Sequence, residues 1–554
     1  MKKIHWLVLG IVACLAFAAG MYFWATGLIT SLYDFRSPLH ASPPQPGQPV
    51  GAPLTRRLVV VLIDGLRDDT SHDTAVMPYL NQLRSQGAWT TTHSRVPSYS
   101  EPGYSVLMTG AWPDISDGPA MNLDYPDIPT WTQDNLFSAA HRQGLRTAIS
   151  GYYWFERLVP QAAVTDSYYT PGEDAAADED VISAALHMLD TNDQLVLIHI
   201  DQVDYAGHHL GGPRDPRWNE AAARVDGLVK QIAARLDFSK DSLVVFSDHG
   251  QIDRGGHGGQ DPIVLVEPFV LVGAGVRPGH YADIHMVDIA PTLATLLGLN
   301  IPASSEGYIL TDMLAIPDAE QPAMQSALKA QQAQLFQAYT KAIGSTAALP
   351  DLPNVVTATQ AAMVRARDAR LARERLPRAI LAFVLALIPA AFLVLRRKKD
   401  VLLLLAGAAL YALIFNLIYA VIDGRTYSLS SVASQTEIIV FVGVTATASL
   451  IIAWLVISLL DLRRISKPLD AAAHTLAFVL ITLYLLALPI LISFAVNGTL
   501  ITWTIPEFLT MFLGFLSILQ ALVVAIIGLI LTGLAAAISA VSRKMAPQMV
   551  SSHI

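Results

Sequence analysis

Several residues that could do chemistry follow apolar runs in this sequence. Asp64 closes the run in VVVLIDG, and Asp201 and Asp204 follow LVLIHI, with His208 four residues on from Asp204 in DYAGHH. Asp248 and His249 end SLVVFSDHG, and His257 sits eight residues later in RGGHGG. Carboxylates mixed with imidazoles are the donor set of zinc sites, and they serve manganese as well. Taken singly, each has an ordinary explanation: a strand-terminal Asp commonly caps a helix or closes a turn, and a His in a Gly-rich loop is commonly solvated. Three strand ends offering Asp or His together are harder to explain so, because buried carboxylates without a cation carry a large desolvation cost. A metal site is expected.

Residues 96–110, VPSYSEPGYSVLMTG, supply hydroxyls. Pro102 suits the first turn of a helix and Gly110 its end. Ser98 and Ser100 then precede a helix N-terminus, where free N–H groups favour an anion. A hydroxyl held there beside a cation loses its proton more easily and becomes a nucleophile. Both serines could equally serve as helix caps, and their spacing from Pro102 does not choose between them.

The positioning elements are legible around these residues. LVVVLI (58–63), LVLIHI (195–200), SLVVFS (242–247) and PFVLVG (268–273) are near-continuous β-rich runs, as in strands buried on both faces of a mainly parallel sheet. Helical stretches intervene at about 76–86, 102–109, 131–143, 178–190 and 217–236. The pattern predicts an α/β sandwich, whose ligands sit beyond the carboxyl ends of the strands.

The rest of the chain has another character. Of 554 residues, 53% are hydrophobic and only 15% charged, and mean hydropathy is +0.41. The apolar excess is concentrated in 400–540. The run 6–30 is long enough to cross a bilayer as a helix. Ala16-Phe17-Ala18 offers a signal-peptide cleavage site and Ile11-Val12-Ala13-Cys14 a lipoprotein one, but apolar sequence continues beyond both, so an uncleaved anchor is expected. Five further spans are predicted at about 379–395, 401–422, 437–460, 472–494 and 508–535. Basic residues 396–399, then Arg463, Arg464 and Lys467, then Arg543 and Lys544 follow the first, third and last of these, whereas loops 423–436 and 495–507 hold only Arg425. The positive-inside rule puts both termini in the cytoplasm and residues 36–375 outside the plasma membrane. The net charge of −9, with no broad basic face, argues against nucleic acid as partner, and a single cysteine, Cys14, excludes an internal disulfide.

Two segments remain. SPLHASPPQPGQPVGAP (37–53) carries six prolines and is expected to be an extended, semi-rigid spacer. MVRARDARLARERLPR (363–378) carries six arginines, for which a helix lying on anionic headgroups and a solvated helix beside the membrane are both open readings. The expected division is cytoplasmic tip and anchor 1–35, linker 36–57, catalytic α/β domain 58–320, helical connector 321–378, five-span domain 379–541 and cytoplasmic tail 542–554.

LIDGLRDD, MPYLNQL, SRVPSYSEPGYSVLMTG, DYAGHH, ARVDGLVKQI, FSDHGQIDRGGHGG and VDIAPTLATLLGL run in order across roughly 58–312. In these stretches the chain resembles the alkaline phosphatase superfamily, in its type I phosphodiesterase / nucleotide pyrophosphatase branch. It most resembles the ethanolamine phosphate transferases of glycosylphosphatidylinositol synthesis, which share the layout of one span before the domain and several after it. The resemblance implies an alkaline-phosphatase-like mixed sheet sandwiched by helices and two divalent ions, zinc by expectation and manganese as the alternative. Asp64, Asp248 and His249 would hold the ion that also binds the nucleophile, and Asp204, His208 and His257 the other. The implied nucleophile is Ser98, directly after Pro97 and itself a metal ligand, with Ser100 in support. Asp201 has no counterpart and reads as a supporting carboxylate or a turn residue. Many relatives have Asn-His where this chain has Gly103-Tyr104, so the phosphate contact falls to another donor, with Asn122 the candidate. The membrane portion has fewer spans than the eukaryotic transferases, and nothing in the sequence requires a glycosylphosphatidylinositol acceptor.

The expected activity is transfer of a phosphoethanolamine-like group from a phospholipid to an extracytoplasmic glycan or lipid hydroxyl, through a covalent Ser98 intermediate. The alternative is a membrane-anchored phosphodiesterase or nucleotide pyrophosphatase that hydrolyses a small diester. A non-catalytic scaffold or transporter is the remaining alternative, and the spans carry no clear ion relay to favour it.

Overall fold

Strand β1 (Arg57–Ile63) is buried at every residue, as its unbroken apolar sequence requires. It lies between β5 (Leu195–Ile200) and β6 (Asp241–Phe246), parallel to both, in a computed structural model describing residues 2–350, 353–395, 399–461 and 467–550. The remaining strands are β2 (Ala88–His93), β3 (Thr147–Tyr152), β4 (Asp166–Thr170), β7 (Val266–Gly273) and the short β8 (Gly279–His280) and β9 (Ile284–His285). The sheet runs β4-β3-β5-β1-β6-β7-β2-β8, with β9 also on β2. The β4 to β6 half is parallel, and β7 is antiparallel to both β6 and β2.

Period-two alternation sends the two faces of β1 into separate cores. Val59, Val61 and Ile63 pack with Leu80, Val181, Val203 and Val225, from the helices Pro78–Gln86, Ala175–Leu189, Gln202–His209 and Pro216–Ala233. Leu58, Val60 and Leu62 pack with Leu107, Phe137 and Leu293, from the helices Ser100–Thr109, Leu136–Arg142 and Ile289–Leu296. The fold is the mixed α/β sandwich the sequence implies, with helices on both faces. Caps place two boundaries: Asn135 Oδ1 accepts from Ser138 N at 3.0 Å, so the stretch 131–143 turns helical only after residue 135, and Asp174 Oδ1 accepts from Ala177 N at 3.0 Å.

Among the described residues, six helices are long and apolar enough to cross a membrane: Ile4–Tyr33, Val355–Leu393, Val401–Ile422, Gln435–Leu460, Pro468–Asn497 and Phe508–Arg543. The chain is an integral membrane protein. Arg396–Lys398 and Arg463–Arg464, on which the expected orientation leans, lie outside the described residues.

Two expectations change. The 37–53 segment is no free spacer: Leu39 and Val50 are buried in domain cores, Ser37 N donates to Asp117 Oδ1 at 2.9 Å, and Arg36 pairs with the same carboxylate at 2.6 Å. Its few apolar residues found partners that composition alone could not reveal. The 363–378 segment belongs to one continuous helix, Val355–Leu395, that passes through Pro377 and Pro389. Several of its arginines meet protein: Arg370 stacks 4.1 Å over Trp503, Arg375 Nε donates to the Val496 carbonyl at 3.0 Å, and Arg378 pairs with Glu374 at 3.2 Å.

Candidate metal centre and nucleophile

Because β1, β5 and β6 are parallel and in register (Ile63 opposite Ile200, Leu62 opposite Phe246), their carboxyl ends emerge at one edge of the sheet. Asp64, Asp201 and Asp248 leave those ends together, and the helix Gln202–His209 carries Asp204 and His208 one turn apart on one face.

Asp64 is oriented from behind. Its Oδ2 accepts from the Tyr104 hydroxyl and from His199 Nε2 at 3.0 Å. His199 Nδ1 takes the Tyr152 N–H at 3.4 Å, which leaves the ring proton on Nε2, where Asp64 needs it. Asp64 Oδ1 has no hydrogen-bond partner and lies 3.3 Å from His249 Nε2. Asp248 Oδ2 is likewise buried without a partner, 3.4 Å from the same nitrogen. His249 Nδ1 lies 3.1 Å from the Gly250 carbonyl, which can only accept, so the lone pair on Nε2 faces the carboxylates.

The second cluster shares Asp204 with the first. His208 Nε2 is 3.3 Å from Asp204 Oδ2, and His257 Nε2 is 3.7 Å from Oδ1, which also accepts from Gln251 Nε2. His257 Nδ1 meets the Ser98 carbonyl at 3.0 Å, so its Nε2 is again bare. It faces His208 Nε2 at 2.9 Å, a separation at which two ring nitrogens need a proton or cation between them. The ligand atoms of Asp204, His208 and His257 lie within 4.8 Å of one another, as do those of Asp64, Asp204 and His249.

Electrostatics agree with this geometry. Burial, followed by repulsion from Asp64, pushes Asp248 well above the usual carboxylate range. Asp201 moves the same way, through burial and then Asp64 and Asp204. His257 is pushed well below the usual imidazole range by burial, then by His249 and His208. A cation among these groups would offset the penalties on the acids and would bind His257 in the neutral form that burial favours. Orphaned carboxylate oxygens, opposed bare imidazole nitrogens and crowded acids fit divalent metal ions.

Of the two hydroxyls, the structure brings Ser100 to this cluster. Ser100 begins the helix Ser100–Thr109, and its Oγ is 3.3 Å from His249 Nε2. Ser98 Oγ is engaged elsewhere, donating to the Gly259 carbonyl at 2.9 Å and accepting from Gly258 N at 3.1 Å. Gly258 has φ +102°, and a Cβ there would stand 2.2 Å from the Tyr99 ring, so only glycine lets this loop close over the Ser98–Ser100 turn. Asn122 is at the site: Oδ1 accepts from Glu101 N at 3.1 Å, and Nδ2 points to Ser100 Oγ at 3.5 Å. The Glu101 carboxyl accepts from Leu123 N at 3.0 Å, and burial pushes it up to about 8.

Three participants were not assigned these roles from sequence. His199 and Gln251 carry a weak signal, polar residues in otherwise apolar or glycine-rich runs, and Tyr104 stood out only as a departure from relatives. A further feature is a loop from the membrane portion. Ser430 Oγ accepts from Gly259 N and Ser428 Oγ from Gln260 N, both at 3.1 Å, and Arg254 pairs with Asp423 at 3.3 Å. The loop after the helix Lys399–Asn416 thus holds the strand-to-loop segment bearing His257.

Residues 58–264 match the family model of type I phosphodiesterase / nucleotide pyrophosphatase. The chain is 29% identical over 303 residues to GPI ethanolamine phosphate transferase 2, catalytic subunit, of Homo sapiens, covering 49% of this chain and 30% of that one. It is 27% identical over 360 residues to GPI ethanolamine phosphate transferase 1 of Mus musculus, covering 52% and 37%. It therefore spans about a third of the length of these relatives. Among solved structures, human ectonucleotide pyrophosphatase / phosphodiesterase 5 aligns with 47% of this chain and 100% of its own, at TM-score 0.38 and 14% identity. Residues 58–264 are thus similar to type I phosphodiesterase / nucleotide pyrophosphatase domains, and about half of the chain is homologous to part of the GPI ethanolamine phosphate transferases.

Proposed function

We propose that this enzyme transfers a phosphoethanolamine-like group from a phospholipid to a hydroxyl of a glycan or lipid, with Ser100 rather than Ser98 as nucleophile. The observation that carries the reading is Ser100 Oγ at 3.3 Å from His249 Nε2, at a helix start and beside the partnerless oxygens of Asp64 and Asp248. Asp64, Asp248 and His249 would hold one divalent ion and Asp204, His208 and His257 a second, zinc in preference to manganese given three imidazoles among six ligands. Such ions, when bound, supply the positive charge that lowers the proton affinity of a nearby hydroxyl and offsets charge on the phosphoryl oxygens.

The chain's own residues do the rest. His199 and Tyr104 hold Asp64 in one orientation, and Gln251 does so for Asp204. Ser100 Oγ loses its proton to solvent and bonds to phosphorus as the bond from phosphorus to the lipid oxygen breaks. That oxygen takes up a proton and leaves as the lipid alcohol. Asn122 Nδ2, beside Ser100 Oγ, is placed to donate to a phosphoryl oxygen. The acceptor hydroxyl then attacks phosphorus, the Oγ–P bond breaks, and Ser100 regains a proton. The catalytic domain faces away from the cytoplasm at the plasma membrane, with both termini inside, a reading supported by the charge pattern of the loops.

The second reading is hydrolysis of a small diester by the same steps, with water as acceptor. Incubation with zinc and phosphatidylethanolamine, followed by mass spectrometry of the 95–110 peptide, tests both. A phosphoethanolamine adduct on Ser100 is expected. An adduct on Ser98 overturns the nucleophile assignment, and headgroup release at full rate without acceptor favours hydrolysis.

A further inference from the structure

Beside Ser100 lies an apolar cavity of about 270 Å³ that no step above uses. Its walls come from the helices Lys2–Tyr33 (Leu28), Gln435–Leu460 (Ile438, Ile439) and Phe508–Val550 (Phe515, Leu519). All three contribute the end nearest the catalytic domain. One flank opens outward, where Ile439 is 53% exposed on a membrane-crossing helix. The inner end reaches Tyr99 and Asn122, the neighbour of Ser100 in sequence and its neighbour in space. An apolar cavity of this size stays dry and takes hydrocarbon rather than water.

A second, polar chamber of about 390 Å³ adjoins it and shares Tyr33, Asn122 and Gln435. Gln435 Nε2 donates to the Tyr33 hydroxyl at 3.1 Å, at the boundary between the two. The polar chamber carries Asp34, Asp124 and Asp127 and, among the described residues, no basic side chain on its walls. An apolar slot open toward lipid, an acidic chamber and a nucleophile meet at Asn122. That arrangement matches one molecule: a phospholipid with a cationic headgroup.

We propose that the donor enters sideways from the leaflet on the domain side. One acyl chain lies in the cavity between these three helices, the ammonium of the headgroup sits in the acidic chamber, and the phosphate is brought to Ser100. The inference rests on the transferase reading and adds the route and the lipid class. Acyl burial positions the donor, and the carboxylates favour the cationic ethanolamine over an uncharged headgroup alcohol such as glycerol.

The test uses the full chain in phosphatidylcholine nanodiscs with zinc. Turnover is read on phosphatidylethanolamine and, separately, on bis(para-nitrophenyl) phosphate, a soluble diester without acyl chains. Ala433 lines the cavity from an exposed position, so Ala433→Trp fills it from outside the candidate metal centre. It is expected to raise the KM for lipid at least about tenfold while leaving turnover of the soluble diester unchanged. Phosphatidylethanolamine with a diazirine on its acyl chain is expected to label the peptides bearing Leu28 or Phe515 in the wild type and not in the variant. Asp124→Asn with Asp127→Asn is expected to narrow the preference for phosphatidylethanolamine over phosphatidylglycerol about fivefold. Lipid turnover indifferent to Ala433→Trp, equal loss on both substrates, labels on other helices, or unaltered headgroup preference overturns the route while the transferase reading stands. A wild type that cleaves the soluble diester but no lipid overturns both.

Discussion

Asp64 and His199 form a buried pair in which Nε2 meets Oδ2 at 3.0 Å, and both side chains are almost wholly shielded from water. The imidazole fixes one carboxylate oxygen so that the other, Oδ1, points at His249. The pair stands at the junction of β1 and β5, so a strand register sets the aim of a ligand.

His199→Ala is therefore expected to act on metal retention before it acts on folding. Loss of a hydrogen bond behind a metal ligand typically costs about 10–100-fold in affinity or activity. Elemental analysis after dialysis against a weak chelator should show loss of metal from the variant at conditions where the wild type keeps it. His199→Gln, which can still donate to Asp64, should recover part of the difference.

Ser100→Ala is expected to lower turnover by about 10³-fold or more, and Ser98→Ala far less, because the Ser98 hydroxyl ties down Gly258 and Gly259 instead of facing the candidate metal ligands. Steady-state rates on a soluble diester check this. Equal losses in the two variants would mean that the turn acts as a unit and that neither serine is singled out.

The Ser428–Ser430 turn should tune catalysis from the membrane side. Removing Ser428 and Ser430 together deletes the hydrogen bonds to Gln260 N and Gly259 N, each worth about 0.5–1.5 kcal/mol. Amide exchange at residues 255–260 should speed up in the double alanine variant, and turnover should fall several-fold with little change in thermal midpoint.

Glu306 supplies a pH dependence of stability away from the centre. Burial, then repulsion from Asp114, pushes its carboxyl from 4.5 up to about 8. The folded state thus binds a proton that the unfolded chain has already lost between these values. Its contribution is fully present below about 4.5 and is lost as pH rises through about 8. Thermal midpoints of the wild type should fall across that window, and Glu306→Gln, which stays neutral, should show a shallower decline. A variant that tracks the wild type at every pH would remove Glu306 as the source.

The sequence by itself determined the sheet's centre and the residues at its edge. Runs such as LVVVLI and LVLIHI are buried on both faces, and a polar residue that ends such a run must emerge where parallel strands terminate together. It likewise determined six apolar helices, since length and composition suffice for those. Strands toward the end of the sheet such as β2, whose AWTTTH alternates between buried and half-buried, carried a weaker signal. Tertiary structure alone distinguishes the surroundings of Ser98 from those of Ser100. The two sit two residues apart before the same proline, and only the loop bearing Gly258, folded back from β6 and held by Ser430, covers one and leaves the other facing His249. It alone also docked the proline-rich 37–53 segment, because Leu39 and Val50 found cores built from residues far along the chain. Local pattern records what a residue prefers, whereas direction and partnership depend on elements that meet only after folding.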